Sequence, residues 1–191
     1  MSEIMSGRGV ALAALDLRRV GFMSERLVYT ALTERQIMPI FQNFTAEVTR
    51  WMMPRAPYSL AEARDLVLDT LQAMQRGDHL TLAISSRKNG EFLGCIALNG
   101  VGAEVPEIGV WLKLGAQGQG YGREALGSLL AWYQKRFRPE YYVYPADVRN
   151  LASCHLAQSL DGRIQRRYEA VSEAGTALRV AEFHIPPVIV R

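Results

Sequence analysis

No apolar run in this chain approaches the roughly 18 residues that a membrane-spanning helix requires. The opening residues also lack the basic-then-apolar order of a secretory signal. A soluble cytoplasmic protein with no membrane partner is therefore expected. Cysteine is scarce: among 191 residues only Cys95 and Cys154 occur. Two such residues form neither a disulfide framework nor a metal-ligand spacing, so free thiols in a reducing compartment are expected and no metal site is. Charge of one sign is missing too, with 22 Lys and Arg against 19 Asp and Glu and a formal net charge of +3. The small basic groups at Lys135, Arg136 and Arg138 and at Arg163, Arg166 and Arg167 belong to no recognised nucleic-acid motif. They read as solvated faces rather than a nucleic-acid surface. The balance remains compatible with an acidic ligand such as a nucleotide-bearing cofactor.

What is present is an ordinary globular composition, 49% hydrophobic and 21% charged, in a length that suits one domain with a sizeable core. Residues 1–22 carry an ambiguous pattern, with a short apolar stretch from Val10 to Leu17 followed by Arg18 and Arg19. They are expected to be an extension, flexible or a short added helix, ahead of a single domain over 23–191.

Periodicity divides that domain into alternating strands and helices. Arg26 to Leu32 suits a strand, and Thr33 with Gln36 forms a capping-box signal for a helix over Glu34 to Asn43. Ser59 is placed to cap a second helix that ends near Gly77 and buries Leu60, Ala63, Leu66, Val67 and Met74. Leu80 to Ser85 and Phe92 to Asn99 read as a hairpin about Lys88, Asn89 and Gly90. Pro106 to Leu114 is the next strand, followed by a helix over Arg123 to Phe137. A strand over Tyr141 to Val148, interrupted or edge-placed at Pro145, precedes a short helix over Asn150 to Leu160. Ile164 to Val171 and Ala177 to Ile185 close the chain as an antiparallel pair. The expected fold is α+β (α/β), a mixed sheet with helices.

The strand-to-helix junction holds Gln117-Gly118-Gln119-Gly120-Tyr121-Gly122. Amides at a helix start lack intrahelical partners, and the helix dipole leaves partial positive charge there. Glycines let the backbone approach a pyrophosphate and turn successive N–H groups inward. Arg123 adds a charge at the rim. A Walker loop would need a Gly-Lys-Ser/Thr ending, and a dinucleotide fingerprint a different glycine spacing; neither fits. A glycine-rich turn with no ligand is the bland alternative.

At this loop the chain resembles the GNAT acyltransferase superfamily, whose acetyl-coenzyme A loop has Gln or Arg, two residues, Gly, one residue, then Gly or Ala; Gln117, Gly120 and Gly122 match. Glu107-Ile108-Gly109-Val110-Trp111-Leu112 and Gly122-Arg123-Glu124-Ala125-Leu126 resemble the flanking strand and helix in the branch of ribosomal-protein N-terminal (RimJ/RimL-like) acetyltransferases. Glu25-Arg26-Leu27, Leu32-Thr33, Phe92-Leu93-Gly94-Cys95-Ile96 and Asn150-Leu151-Ala152-Ser153 are similar to that branch as well. The likeness runs from about Ser24 to Ile185 and departs at Leu160-Asp161-Gly162-Arg163, where Leu-Gly-Phe is common.

The resemblance implies a mainly antiparallel central sheet, splayed near Trp111 to Leu114 so that free backbone groups pair with the pantetheine arm. It implies acetyl-coenzyme A as acyl donor, held by Leu112, Leu114, Gln117, Gly118, Gln119, Gly120, Tyr121, Gly122, Arg123 and Asn150. A primary amine, either a protein N-terminus or a small molecule, would be the acceptor, attacking directly in a ternary complex. Ser153 is the candidate proton donor to the leaving thiolate; its alternative is a helix-start serine with Asn150 as cap. Glu107 is the candidate base acting through water, or else a solvated strand-end carboxylate. Glu173 reads as a turn residue and Tyr121 as packing beside the loop. His155 is expected to point away from Ser153, and Cys154 has no evident base to activate it. Trp51, Met52, Met53, Pro54 and Tyr58 are expected in one wall of the acceptor cleft or in the core. The alternatives in function are an inactive acyl-coenzyme A-binding sensor and a basic nucleic-acid module. A monomer or a homodimer fits.

Overall fold

A computed structural model of the chain describes residues 15–187. Its first strand, β1 (Gly21–Met23), pairs antiparallel with β2 (Leu27–Ala31). Of the extension expected over 1–22, residues 1–14 lie outside the described residues. The rest of it is packed: Leu17 and Val20 are buried, and the Phe22 ring lies 4.6 Å from that of Tyr29 and 5.5 Å from that of Trp132. The boundary expected at Met23 thus falls inside β1, because these apolar side chains cover an otherwise open flank of β2 and the helix carrying Trp132.

Local capping places the first helices as their residues suggest. Thr33 and Gln36 form the capping box, opening a 3-10 turn that leads into α1 (Ile37–Asn43), then α2 (Ala46–Thr49). In α3 (Leu60–Arg76) the Ser59 hydroxyl accepts from the Glu62 N–H at 3.2 Å, and Gly77 ends the helix with φ 88°. The hairpin of β3 (His79–Ser86) and β4 (Phe92–Asn99) follows, with β5 (Glu107–Leu112) antiparallel to β4. Helix α4 (Tyr121–Gln134) buries Ala125, Leu126, Leu129, Leu130 and Tyr133 at helical spacing. Then come β6 (Tyr142–Asp147), α5 (Leu151–Gln158), β7 (Arg163–Val171) and β8 (Ala177–Ile185).

The strands form one sheet in the order β1-β2-β3-β4-β5-β6-β8-β7, antiparallel except between β5 and β6, as the mixed, mainly antiparallel expectation has it. Those two strands run parallel and share the single register pair Glu107/Val143; beyond it they part. The Val143 N–H donates to Pro106 O at 3.0 Å. Alternation along the strand turns the nitrogen of Pro145 to the same side, which is the open one, so its missing N–H costs no ladder bond. Its other side faces β8 in register with Glu182.

The last two strands form a regular hairpin apart from a bulge at Ile164/Arg166. Asp161 adopts φ 62°, and the Gly162 N–H returns to Ala157 O at 2.9 Å. A Cβ at Gly162 would sit 2.6 Å from that oxygen, so the departure at Leu160 to Arg163 still makes a tight exit from α5. Strand β7 ends the sheet with nearly all its residues exposed.

Gly94 of β4 has φ 152°, and a Cβ there would lie 2.1 Å from Trp111 O on β5. Gly94→Ala must push β5 aside or strain the strand, and is expected to lower unfolding free energy by about 3 kcal/mol. Urea unfolding followed by far-UV circular dichroism measures this.

Candidate active site

Where β5 and β6 part, one end of the opening meets the start of α4. The loop before it is held from three sides. Gln117 Nε2 donates to Leu112 O at 2.9 Å, tying the loop to the end of β5. Gln119 Nε2 donates to Gly115 O at 2.7 Å, and the Gln119 carbonyl accepts from Arg26 Nη1 at 3.0 Å. Gly118 and Gly120 take φ 72° and 78°, in the left-handed region that favours glycine. No side chain caps α4; its first helical bond runs from the Glu124 N–H to Gly120 O at 3.2 Å. The amides of Tyr121, Gly122 and Arg123 precede that bond and are available to an anion. This is the cradle a pyrophosphate needs, and it fits coenzyme A. Gly122 also lets α5 approach, since a Cβ there would meet Leu156 Cδ2 at 3.2 Å.

Arg26, which the sequence places only at the start of the first strand, braces this loop. Its Nε donates to Glu124 Oε2 at 2.7 Å and its guanidinium lies 4.5 Å from the Tyr121 ring centroid. Burial pushes the Glu124 carboxyl up, but the Ser24 hydroxyl, the Arg26 N–H and the guanidinium outweigh it, and the net displacement is downward. The partners lie nearly a hundred residues apart, so no local spacing signals them.

From the loop a cavity of about 880 Å³ runs along the opening and under α1 to α3. Leu112, Gln117, Gly118, Gly120, Gly122, Arg123 and Asn150 line it, whereas Leu114, Gln119 and Tyr121 stand outside the lining. Leu114 sits in a 3-10 turn with its side chain exposed. By alternation from Pro106 O, Val110 and Leu112 direct their backbone groups toward the opening.

Ser153 and Glu107 both line this cavity. Asn150 caps α5, its Oδ1 accepting from the Ser153 N–H at 3.1 Å. The Ser153 hydroxyl is left for another partner, Tyr144 Oη on β6, at 2.8 Å. Burial pushes the Tyr144 phenol up to about 12, against the opposing effect of Ser153, so it stays protonated, and either hydroxyl of the pair can donate to the other. Tyr144 alternates with Tyr142 and Ala146 in an apolar pattern and reads as core, which hid it. His155 is exposed and is among the residues lining the cavity. Cys154 turns inward to Asp147 O, and burial raises its thiol.

Of the residues expected in the acceptor wall or the core, Trp51, Met52, Met53 and Pro54 line the cavity, and Tyr58 stands outside the lining beside Arg55. Glu173 does more than turn the hairpin: its N–H donates to Met53 O at 2.9 Å and its Oε2 accepts from the Arg55 N–H at 3.2 Å. The loop after α2 is thereby joined to the β7–β8 turn. Trp51 lies between the guanidiniums of Arg50 and Arg149, at 4.8 and 4.0 Å. Arg149 is held by the buried Asp147 carboxylate, which also accepts from the Arg179 N–H at 2.8 Å. Glu107, at the vertex of the opening, accepts from Asn99 Nδ2 at 3.4 Å.

Comparison with known proteins agrees with this geometry. The model of the GNAT acetyltransferase domain matches residues 26–163, and the chain belongs to that family. It is accordingly an acyl-coenzyme A-dependent N-acetyltransferase. Solved structures share the fold. An acetyltransferase from Salmonella typhimurium that modifies the N-terminal serine of ribosomal protein L7/L12 is 20% identical with a TM-score of 0.74, covering 86% of this chain and 96% of that one. The RimL ribosomal L7/L12 alpha-N-protein acetyltransferase in complex with coenzyme A is 22% identical with a TM-score of 0.72, covering 85% and 95%. A GNAT-family acetyltransferase from Bacillus anthracis is 13% identical with a TM-score of 0.75, covering 88% and 99%. A search of curated proteins finds no match. Among the described residues no helix is long and apolar enough to cross a membrane, and no cluster of His, Cys, Asp and Glu could hold a metal.

The carboxylate that orders Arg149 makes stability depend on acidity. Hydrogen bonds from Arg149 bring Asp147 down from 3.8 to about 2. A carboxyl lowered in the folded state stabilises above its unfolded value and loses that contribution as pH falls through the folded one. Between pH 4.5 and 2 this group alone is expected to remove about 2 kcal/mol of stability. Comparing urea unfolding of the native protein and Asp147→Asn across that range checks it, the variant showing the shallower acid dependence.

Proposed function

We propose that the protein transfers an acetyl group from acetyl-coenzyme A to a primary amine by direct attack, with both substrates bound together. The observation that carries the reading is a single cavity lined by the anion cradle, the open edge of β5, the Ser153–Tyr144 pair and Glu107. Acetyl-coenzyme A, when bound, supplies an acetyl thioester with a thiolate leaving group. The amides of Tyr121, Gly122 and Arg123, with Gly118 and Gly120 leaving them bare, bind the pyrophosphate. Val110 and Leu112 accept the pantetheine arm as an added strand would be accepted. Asn150 lines its far end.

Ser153 donates a proton to the departing sulfur. Tyr144 O–H donates to Ser153 Oγ, which orients the serine proton toward the cavity and strengthens a weak acid. Glu107 withdraws a proton from the acceptor amine through water. This arrangement favours the enzyme over a binding-only sensor, which needs no hydroxyl pair beside the cofactor arm. The acceptor is a protein N-terminus in the cytoplasm; the L7/L12 acetyltransferases of the same fold act on such a group, and the partly apolar wall of Trp51, Met52 and Met53 suits a peptide end.

Gly120→Glu sets a carboxylate against the pyrophosphate site and is expected to abolish acetyl-coenzyme A binding in calorimetry while the fold persists; unchanged affinity would remove the cofactor assignment. Ser153→Ala is expected to lower turnover about a hundredfold with little change in cofactor affinity. Thiol release measured over a panel of serine-initiated peptides and alkylamines identifies the acceptor class, and equal turnover by the variant would dismiss Ser153 as the acid.

A further inference from the structure

Three neighbouring strands place His79, Asn99 and Glu107 in one row across the sheet: His79 pairs in register with Asn99, and Asn99 with Glu107. All three line the acceptor side of the cavity, as does Thr81. Their side chains touch in sequence. His79 Nδ1 bonds Asn99 Oδ1, Asn99 Nδ2 bonds Glu107 Oε1 at 3.4 Å, and His79 Nε2 bonds Thr81 Oγ1 at 2.6 Å. Among the described residues Glu107 Oε2 has no partner, so one carboxylate oxygen is anchored and the other is left for water.

Donor and acceptor chemistry gives this row a direction. An ionised carboxylate only accepts, so Asn99 must offer its NH₂ to Glu107 and turn its oxygen to His79. An amide oxygen also only accepts, so Nδ1 of His79 carries the hydrogen. Nε2 then bonds the Thr81 hydroxyl, which can donate to a bare nitrogen or accept from an N–H. Without an N–H at the Nδ1 position nothing holds the Asn99 amide in this sense, and its flip would set oxygen against the Glu107 carboxylate.

We propose that His79 is a positioning residue for the amine side of the reaction, holding Glu107 through Asn99 so that its second oxygen addresses the acceptor. This rests on Glu107 as the base. The row is invisible to local spacing because its members come from separate strands, and only the register brings them together.

The test uses the geometry of the two ring nitrogens, measuring thiol release from acetyl-coenzyme A with the fastest amine of the panel. His79→Asn places an N–H donor where Nδ1 stands and is expected to keep kcat within threefold of the native protein. His79→Gln places its amide where Nε2 stands and keeps only the Thr81 link; it and His79→Leu are expected to lose about tenfold in kcat, with KM for acetyl-coenzyme A unchanged. Equal activity in all three variants, or a loss confined to KM for acetyl-coenzyme A, overturns the proposal. If His79→Leu does not fold, the contrast between Asn and Gln still decides. Glu107→Gln separates the two failures: full activity there removes the base and the row with it, whereas low activity there with an unresponsive His79 series removes the row alone.

Discussion

The parting of β5 from β6 after one shared residue pair is the constraint on which the rest depends. A continuous parallel ladder would have consumed the backbone groups of Val110 and Leu112 and closed the cavity. The separation is sustained by what fills each side. On β5, Gln117 returns to Leu112 O and fixes the strand's end. On β6, Pro145 has no N–H to seek a partner, while β8 holds the opposite edge through Asp147. Polar backbone that a closed sheet would satisfy is here turned toward the cavity.

Around that opening the chemistry is divided by strand. The loop and β5 supply the anion cradle and the open strand edge, β6 and α5 bring Tyr144 and Ser153, and the start of β5 brings Glu107. The hairpin turn at Glu173 and the segment after α2 meet above the acceptor side, and the Asp147–Arg149–Trp51 stack joins the floor to the wall. The active site is thus assembled from elements spread over most of the chain, and the sheet register, more than any one motif, aligns them.

How much of this the amino-acid order discloses depends on the distance over which each contact acts. Ser59 and Gly77 mark the ends of α3 because capping and left-handed closure are local events. The loop at Gln117 to Gly122 is legible for the same reason, its glycines and its helix being contiguous. Leu17, Val20 and Phe22 were not legible as core, since their short, irregular spacing matches neither period and their partners Tyr29 and Trp132 are remote. Tyr144 was concealed by an apolar alternation that is equally true of a core strand. His79 and Asn99 stand in strands whose pairing, not whose spacing, creates their contact with Glu107. Arg26 reaches Glu124 across four intervening strands of sequence.

β7 forms one margin of the sheet, at the end opposite β1. β7 leaves a row of backbone groups unpaired along its outer edge, and such an edge invites another chain to continue the sheet. Arg163, Arg166 and Arg167 stand on it, and among the described residues only Arg166 has an ion-pair partner, Glu182 at 2.6 Å. Two copies approaching edge to edge would bring these guanidiniums together, at a cost in repulsion and in stripped hydration. The basic group on β7 thus makes this margin of the sheet costly to extend with a second copy of the same strand.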